Sequence, residues 1–227
     1  KGVLRSPDTT LPAMSAWSGI VVVAVAIAVV TVAVGQPVWE WHLSDTPQTE
    51  TWSYGLFSAT HTIVNETTGA RTLQAFSYQN LAGQAKMAGL FLSMQYGFLA
   101  LIGTVAAAAA LSALTLRRKL RGLFAGVAFV GGCLLGLYVP LTIVLGITGA
   151  ATDLPRFGGP SIPSFEGQMT LPRSGGSSLL ILWGPGPAWY LCLGLALVLA
   201  FGATEMWSLR PSLRRATSSA ARATPAT

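Results

Sequence analysis

Four long segments without a charged residue constrain this chain more than any other feature of its sequence. They cover residues 9–39, 87–116, 122–152 and 174–204. A helix needs about 20 apolar residues to cross the hydrocarbon core of a bilayer. Each segment therefore has room for one span and its interfacial ends, but not for two. We predict an all-α membrane protein built as a four-transmembrane-helix bundle.

The composition agrees with this prediction. Of the 227 residues, 10% are charged and 52% are hydrophobic, and the mean hydropathy is +0.56. Soluble domains carry about 25% charged residues. The difference excludes an ordinary soluble enzyme and a disordered chain.

The predicted segments follow from the positions of the charges. We expect transmembrane helices at residues 15–34, 87–116, 123–149 and 179–207. We expect the first to stay in the mature protein, although its basic start resembles a signal peptide. The remaining segments are a cytoplasmic N-terminal segment, an outer loop, a short basic loop, a second outer loop and a mobile cytoplasmic tail, at residues 1–14, 35–86, 117–122, 150–178 and 208–227.

The distribution of basic residues predicts the orientation. With four spans, both termini and the loop at 117–122 share one side of the membrane. That side holds ten of the 14 Lys and Arg residues. Because basic residues accumulate on the cytoplasmic side, we predict cytoplasmic N- and C-termini. The sequence pI of 9.8 then reflects topology, and we expect no nucleic-acid partner.

The first outer loop has the composition of a small antiparallel β-sheet. Residues 52–64 and 72–78 are rich in aromatic and β-branched residues, and a turn composition at 65–69 separates them. Two such runs around a Gly-containing turn predict a β-hairpin, and residues 38–43 could add a strand. The second outer loop is rich in Pro and Gly, and we expect it to be an irregular cap or a partner-binding loop.

The first half of the chain resembles the claudin and peripheral-myelin-protein-22 superfamily. The resemblance rests on Trp52 or Trp39, the triplet Gly55-Leu56-Phe57, the hairpin, and Lys86 among alanines before the second span. It implies four spans, cytoplasmic termini and a first outer loop folded as a sheet. The chain departs from the family pattern at Thr60, which stands where the first of two loop cysteines would be. No cysteine follows in that loop.

The same loop contains the candidate partner-docking residues and the candidate metal ligands. We predict that the docking surface is formed by Trp39, Trp41, Trp52, Gly55, Leu56 and Phe57. Both histidines, His42 and His61, lie in this loop with several carboxylates, and together they could ligate Zn²⁺ or Cu²⁺. The alternative is two surface histidines without a ligand. Asn65 begins the sequence Asn-Glu-Thr, an N-glycosylation acceptor pattern.

Small residues mark the third predicted helix. Gly122 and Gly126 form one pair four residues apart, and Gly132 and Gly136 form another. Such pairs allow two helices to approach closely. The contact could lie within the bundle or against another subunit.

The spans carry no ionisable residue at their centres, and no catalytic motif is present. We therefore expect no enzyme activity and no cofactor. The sequence favours a non-catalytic membrane subunit whose partners are lipid and other integral membrane subunits, with a homo-oligomer as a possibility. One alternative is a claudin-like, self-assembling barrier or pore lined by Glu40, Asp45 or Glu50. The other is an extracytoplasmic metal-binding protein that uses the two histidines.

Overall fold

The computed structural model describes residues 11–45, 47–81, 83–116, 122–157, 159–172 and 178–208. Of the predicted cytoplasmic segments at 1–14, 117–122 and 208–227, residues 1–10, 117–121 and 209–227 lie outside the described residues. The helices are α1 (Leu11–Val34), α2 (Ala85–Leu116), α3 (Gly122–Ala150) and α4 (Pro187–Ser208). The strands are β1 (Pro37–Asp45), β2 (Gln48–Gly55), β3 (Ser58–Asn65), β4 (Arg71–Ser77), β5 (Gly167–Pro172) and β6 (Ser178–Pro185). Short 3₁₀ segments lie at Tyr78–Asn80 and Ala151–Phe157.

All four helices are long and apolar enough to cross a membrane, which confirms the predicted number of candidate spans. They pack side by side, with α1 against α2 and α4, and α3 against α2 and α4. Large apolar side chains also cover the outside of this bundle. Leu145 of α3 is 80% exposed and Leu197 of α4 is 73% exposed. A bundle that is apolar on its outer surface is typical of a membrane span.

The predicted start of the fourth helix is wrong. Residues 179–185 belong to β6, and α4 begins only at Pro187. The segment alternates, because Ile181 and Trp183 are buried whereas Leu180 and Leu182 are exposed. That period of two is the pattern of a strand. Proline is favoured at the first position of a helix, so Pro187 marks the true start.

The sheet is larger than predicted and draws on both outer loops. Its six strands run antiparallel in the order β4-β3-β2-β1-β6-β5. The hairpin of β3 and β4 and the strand at 38–43 are confirmed. The run at 52–64 is divided between β2 and β3 by the turn Leu56–Phe57. The expectation that the second outer loop is irregular is wrong, since this loop supplies β5 and the first residue of β6.

The sheet has a covered face and an open face, which the strand register defines. Trp39 pairs with Tyr54 and Trp41 with Trp52, and these side chains lie on the covered face with Ala59, Ile181 and Trp183. The open face carries the intervening residues, among them Glu40, His42, Thr51, Ser53, Thr62, Leu73, Leu180 and Leu182.

Aromatic contacts hold the covered face against α2. The rings of Tyr54 and Tyr78 both stack on Phe91, with centroids 5.1 and 5.3 Å away. The Tyr54 hydroxyl donates a hydrogen bond of 2.8 Å to Gln84 Oε1, and the Tyr78 hydroxyl donates to the Gly55 carbonyl. Burial raises the pKa of both tyrosines far above the ordinary value. Both hydroxyls therefore remain protonated donors.

A second connection joins the 3₁₀ segment Ala151–Phe157 to the start of α2. Asp153 is buried, and its Oδ2 accepts a hydrogen bond of 2.7 Å from the Lys86 backbone N–H. Lys86 Nζ donates to Thr152 Oγ1 at 2.9 Å. An acidic side chain at a helix N-terminus satisfies a free backbone donor and complements the helix dipole. Asp153 therefore caps α2 from a distant part of the chain.

Candidate functional site

The two histidines lie on opposite faces of the sheet. His42 of β1 pairs with Thr51 of β2, and His61 of β3 pairs with the next residue, Trp52. Because successive side chains of a strand point to opposite faces, the two imidazoles cannot share one ion. No group of three His, Cys, Asp or Glu side chains in the described part of the chain could hold a metal. The predicted metal site at these two histidines is wrong.

His61 instead belongs to an aromatic cluster on the covered face. Its ring stacks on Trp52 with a centroid distance of 4.3 Å. Glu50 Oε1 lies 2.7 Å from His61 Nε2 and accepts a hydrogen bond of 3.0 Å from the Trp52 indole. Glu50 therefore fixes both rings, and its role is to position the aromatic cluster.

His42 is the centre of a polar cluster on the open face. Its Nδ1 lies 2.9 Å from Thr51 Oγ1, and its Nε2 lies 3.3 Å from Glu40 Oε1. Ser53 donates a hydrogen bond of 3.3 Å to Glu40 Oε2. The hydrogen bond from His42 lowers the pKa of Glu40 by more than partial burial raises it. Glu40 is therefore a carboxylate at neutral pH.

The predicted docking residues do not form an exposed surface. Trp39 and Leu56 are fully buried, and Trp41 is 3% exposed. Gly55 and Trp52 are half-buried, and the Phe57 ring packs edge-on against Phe98 of α2 with centroids 6.1 Å apart. The buried tryptophans and Leu56 are therefore not available to a partner, and Phe57 attaches the sheet to α2. The half-buried Trp52 ring stacks on other rings within the sheet. The prediction failed because aromatic residues are common in buried packing contacts as well as in exposed docking surfaces, and the sequence does not distinguish the two.

The glycines of α3 make contacts within the chain. A Cβ on Gly132 would lie 3.1 Å from Leu199, and one on Gly136 would lie 3.2 Å from the Ala196 side chain and 3.3 Å from its Cα. A Cβ on Gly126 would meet Met206 at 3.5 Å. The close approach predicted for these three positions is therefore between α3 and α4. Gly122 is half-buried at the first residue of α3.

The Asn65 side chain shapes the turn between β3 and β4. Its Oδ1 accepts hydrogen bonds from the backbone N–H groups of Thr67 and Thr68, at 3.0 and 2.9 Å. Residues 66–70 are exposed. The turn is accessible, and glycosylation of Asn65 stays a prediction.

A groove lies at the foot of the open face, where the sheet meets the ends of α1 and α4. Its volume is about 650 Å³, and it is lined by Val32, Gln36, Glu40, Pro185, Pro187, Tyr190 and Leu191. Sequence reasoning missed it, because its residues come from two chain junctions, at residues 32–40 and 185–191, that lie far apart in the sequence. The two junctions meet because β1 pairs with β6, and the predicted fourth helix had assigned the residues of β6 to a span.

Comparisons of the chain with protein-family models and with curated proteins found no match.

Proposed function

We propose that this protein is a non-catalytic integral membrane subunit that crosses the bilayer four times. In this proposal the sheet stands on the outer side and docks a partner with its open face. The observation that carries the proposal is the division of the exposed surface into two kinds. The bundle exposes large apolar side chains on its helices, whereas one face of an ordered six-stranded sheet is left open above it.

The charges support the proposed orientation. Both connections that contain strands join the same ends of the helices, between α1 and α2 and between α3 and α4. The opposite ends lead to the basic segments of the sequence. By the positive-inside tendency, the sheet belongs outside and the termini belong in the cytoplasm.

The open face has the composition of a recognition surface. Leu73 is 60% exposed, and Leu182 and Leu180 are 40% and 37% exposed. Hydroxyl side chains of Thr51, Ser53, Thr60 and Thr62 lie between these apolar positions. Apolar contacts bordered by hydrogen-bonding groups are typical of protein interfaces. We therefore propose the open face as the docking surface, in place of the tryptophan-bearing residues that the sequence suggested.

Photo-crosslinking tests this surface directly. A photoreactive residue at Leu73 faces outward on the open face, whereas one at Thr72 is also exposed but lies on the other face. We expect Leu73 to crosslink one defined membrane polypeptide and Thr72 to give much less. Native mass spectrometry after gentle detergent extraction should show that polypeptide at a fixed ratio to this chain. Equal crosslinking from both positions would contradict docking by the open face.

The second candidate is a self-assembling barrier or pore, in line with the claudin-like resemblance. The observation that favours it is the pair of edge strands, β4 and β5, at opposite ends of one sheet. Edge strands present unpaired backbone groups that can pair with another chain. Of the three carboxylates proposed to line such a path, Glu40 lies on the open face, whereas Asp45 and Glu50 share the covered-face register. Concentration-dependent self-assembly without another polypeptide would favour this candidate.

A further inference from the structure

We propose that the groove at the foot of the open face is a binding site for a membrane lipid with a primary ammonium headgroup, such as phosphatidylethanolamine. The inference rests on the proposed function, because an outer-leaflet lipid reaches this groove only if α1 and α4 cross the membrane.

The position of the groove suits an amphiphile. Val32 lies in the last turns of α1, and Tyr190 and Leu191 lie in the first turns of α4. Val32 and Tyr190 are 54% and 57% exposed. In a membrane, these ends lie where the acyl chains meet the headgroups. The walls beside the helices can therefore contact hydrocarbon, while Gln36 and Glu40 lie above them, on the chain that continues into the sheet.

The charge of the groove selects the headgroup. Its described lining residues include one carboxylate, Glu40, and no basic side chain. His42 and Ser53, which contact Glu40 on the open face, keep this carboxylate ionised and fix its orientation. An ionised carboxylate has about four lone-pair sites, and these two neighbours occupy only part of them. Glu40 can therefore accept hydrogen bonds from an ammonium group.

The aromatic lining favours a primary ammonium over a trimethylated one. Quaternary ammonium groups are recognised by cages of several aromatic rings, whereas Tyr190 supplies the only aromatic ring among the described residues of this lining. A primary ammonium instead donates hydrogen bonds to a carboxylate. An anionic headgroup without an amine would be repelled by Glu40.

Lipid retention measures this selectivity. The full-length protein is reconstituted into nanodiscs of phosphatidylcholine that contain either phosphatidylethanolamine or phosphatidylglycerol, and native mass spectrometry counts the lipids that stay bound. We expect preferential retention of phosphatidylethanolamine by the unmodified chain. Glu40→Gln should lower that retention about fivefold, as expected for loss of one partly exposed ion pair. Glu66→Gln removes an exposed carboxylate in the turn after β3 and should leave retention unchanged.

A second variant tests the shape of the groove without touching the carboxylate. Val32→Phe adds volume at an exposed position and should reduce retention of phosphatidylethanolamine while the thermal unfolding midpoint stays the same. Equal retention of the two lipids, or equal retention by Glu40→Gln and the unmodified chain, would overturn the site. So would a photoreactive residue at Tyr190 that captures a second copy or a partner helix instead of lipid.

The two proposals fail in different ways. Release of the chain from membranes by alkaline carbonate would contradict the proposed function and the lipid site together. A chain that stays in the membrane and crosslinks its partner through Leu73, but shows no lipid preference, would contradict the lipid site alone.

Discussion

At the scale of single residues, a few polar groups decide how the sheet is held on the helices. Asp153 reaches the first turn of α2, Gln84 accepts from Tyr54, and Glu50 connects two rings of the covered face. Each is a buried or half-buried group with a defined partner. Such groups are costly to leave unpaired, so their removal should loosen specific contacts between the sheet and the bundle.

Removal of the Asp153 carboxylate should destabilise the junction between the 3₁₀ segment and α2. Asp153→Ala leaves the Lys86 N–H without its acceptor, and loss of a helix N-cap costs about 1 kcal/mol. Thermal unfolding in detergent should show a lower midpoint. Glu166→Ala, which removes an exposed carboxylate from the same outer loop, serves as the control. Equal midpoints for the two variants would contradict the capping role.

The lowered pKa of Glu40 makes a specific prediction about pH. Its ordinary value is 4.5, and the folded value is lower, so the folded state favours the ionised form. The resulting stability is present above pH 4.5 and is lost as the pH falls through the folded pKa. Thermal midpoints measured from pH 7 to pH 3 should therefore decline less steeply in Glu40→Gln than in the unmodified chain. Parallel profiles would show that Glu40 does not contribute, and Glu66→Gln provides the matched control.

At the scale of elements, the sequence predicts the helices better than it predicts the sheet. The charge-free segments locate α1, α2 and α3 to within a few residues, because the bilayer imposes a length on each span. The turn at residues 65–69 locates β3 and β4, because its composition is local. By contrast, β6 is as apolar as a span, and hydropathy alone cannot distinguish the two. Its strand state depends on pairing with β1, a contact that no local pattern records.

The candidate sites show the same limit. The glycine spacing predicts a close helix contact correctly, but it does not identify α4 as the partner. The two histidines looked like one site because they share a loop. In the sheet, His42 pairs with Thr51 and His61 pairs with Trp52. Because Thr51 and Trp52 are successive residues of β2, the two histidines lie on opposite faces. The groove residues could not be grouped from the sequence, since their proximity follows from the same pairing of β1 with β6.

Close packing between α3 and α4 predicts that Gly→Ala substitutions in α3 lower stability only where the glycine faces α4. Gly136→Ala places a methyl group 3.2 Å from the Ala196 Cβ and 3.3 Å from its Cα, so α3 and α4 would have to separate by a few tenths of an ångström. Overpacking of this kind costs about 1–3 kcal/mol, so the thermal midpoint should fall clearly. Gly149→Ala in the same helix meets nothing within 4 Å and should leave stability unchanged or slightly raised. A similar midpoint for both variants would contradict the close approach of the two helices.

At the scale of the whole molecule, an apolar bundle carries a sheet with one open face. The bundle gives the chain its place in a bilayer, and the covered face gives the sheet a fixed orientation above the helices. The partner proposal and the lipid proposal both depend on this arrangement. We propose that the sheet and the basic segments lie on opposite sides of the membrane.

Labelling of single cysteines with an impermeant thiol reagent tests that claim most directly. Thr68→Cys lies in the exposed turn between β3 and β4, and Arg118→Cys lies outside the described residues, between α2 and α3. The unmodified chain controls for the native thiols Cys133 and Cys192, which lie within α3 and α4. We predict that Thr68→Cys reacts on intact cells and that Arg118→Cys reacts only after permeabilisation. Reaction of Arg118→Cys on intact cells, with Thr68→Cys protected, would contradict the proposed orientation of the chain in the membrane.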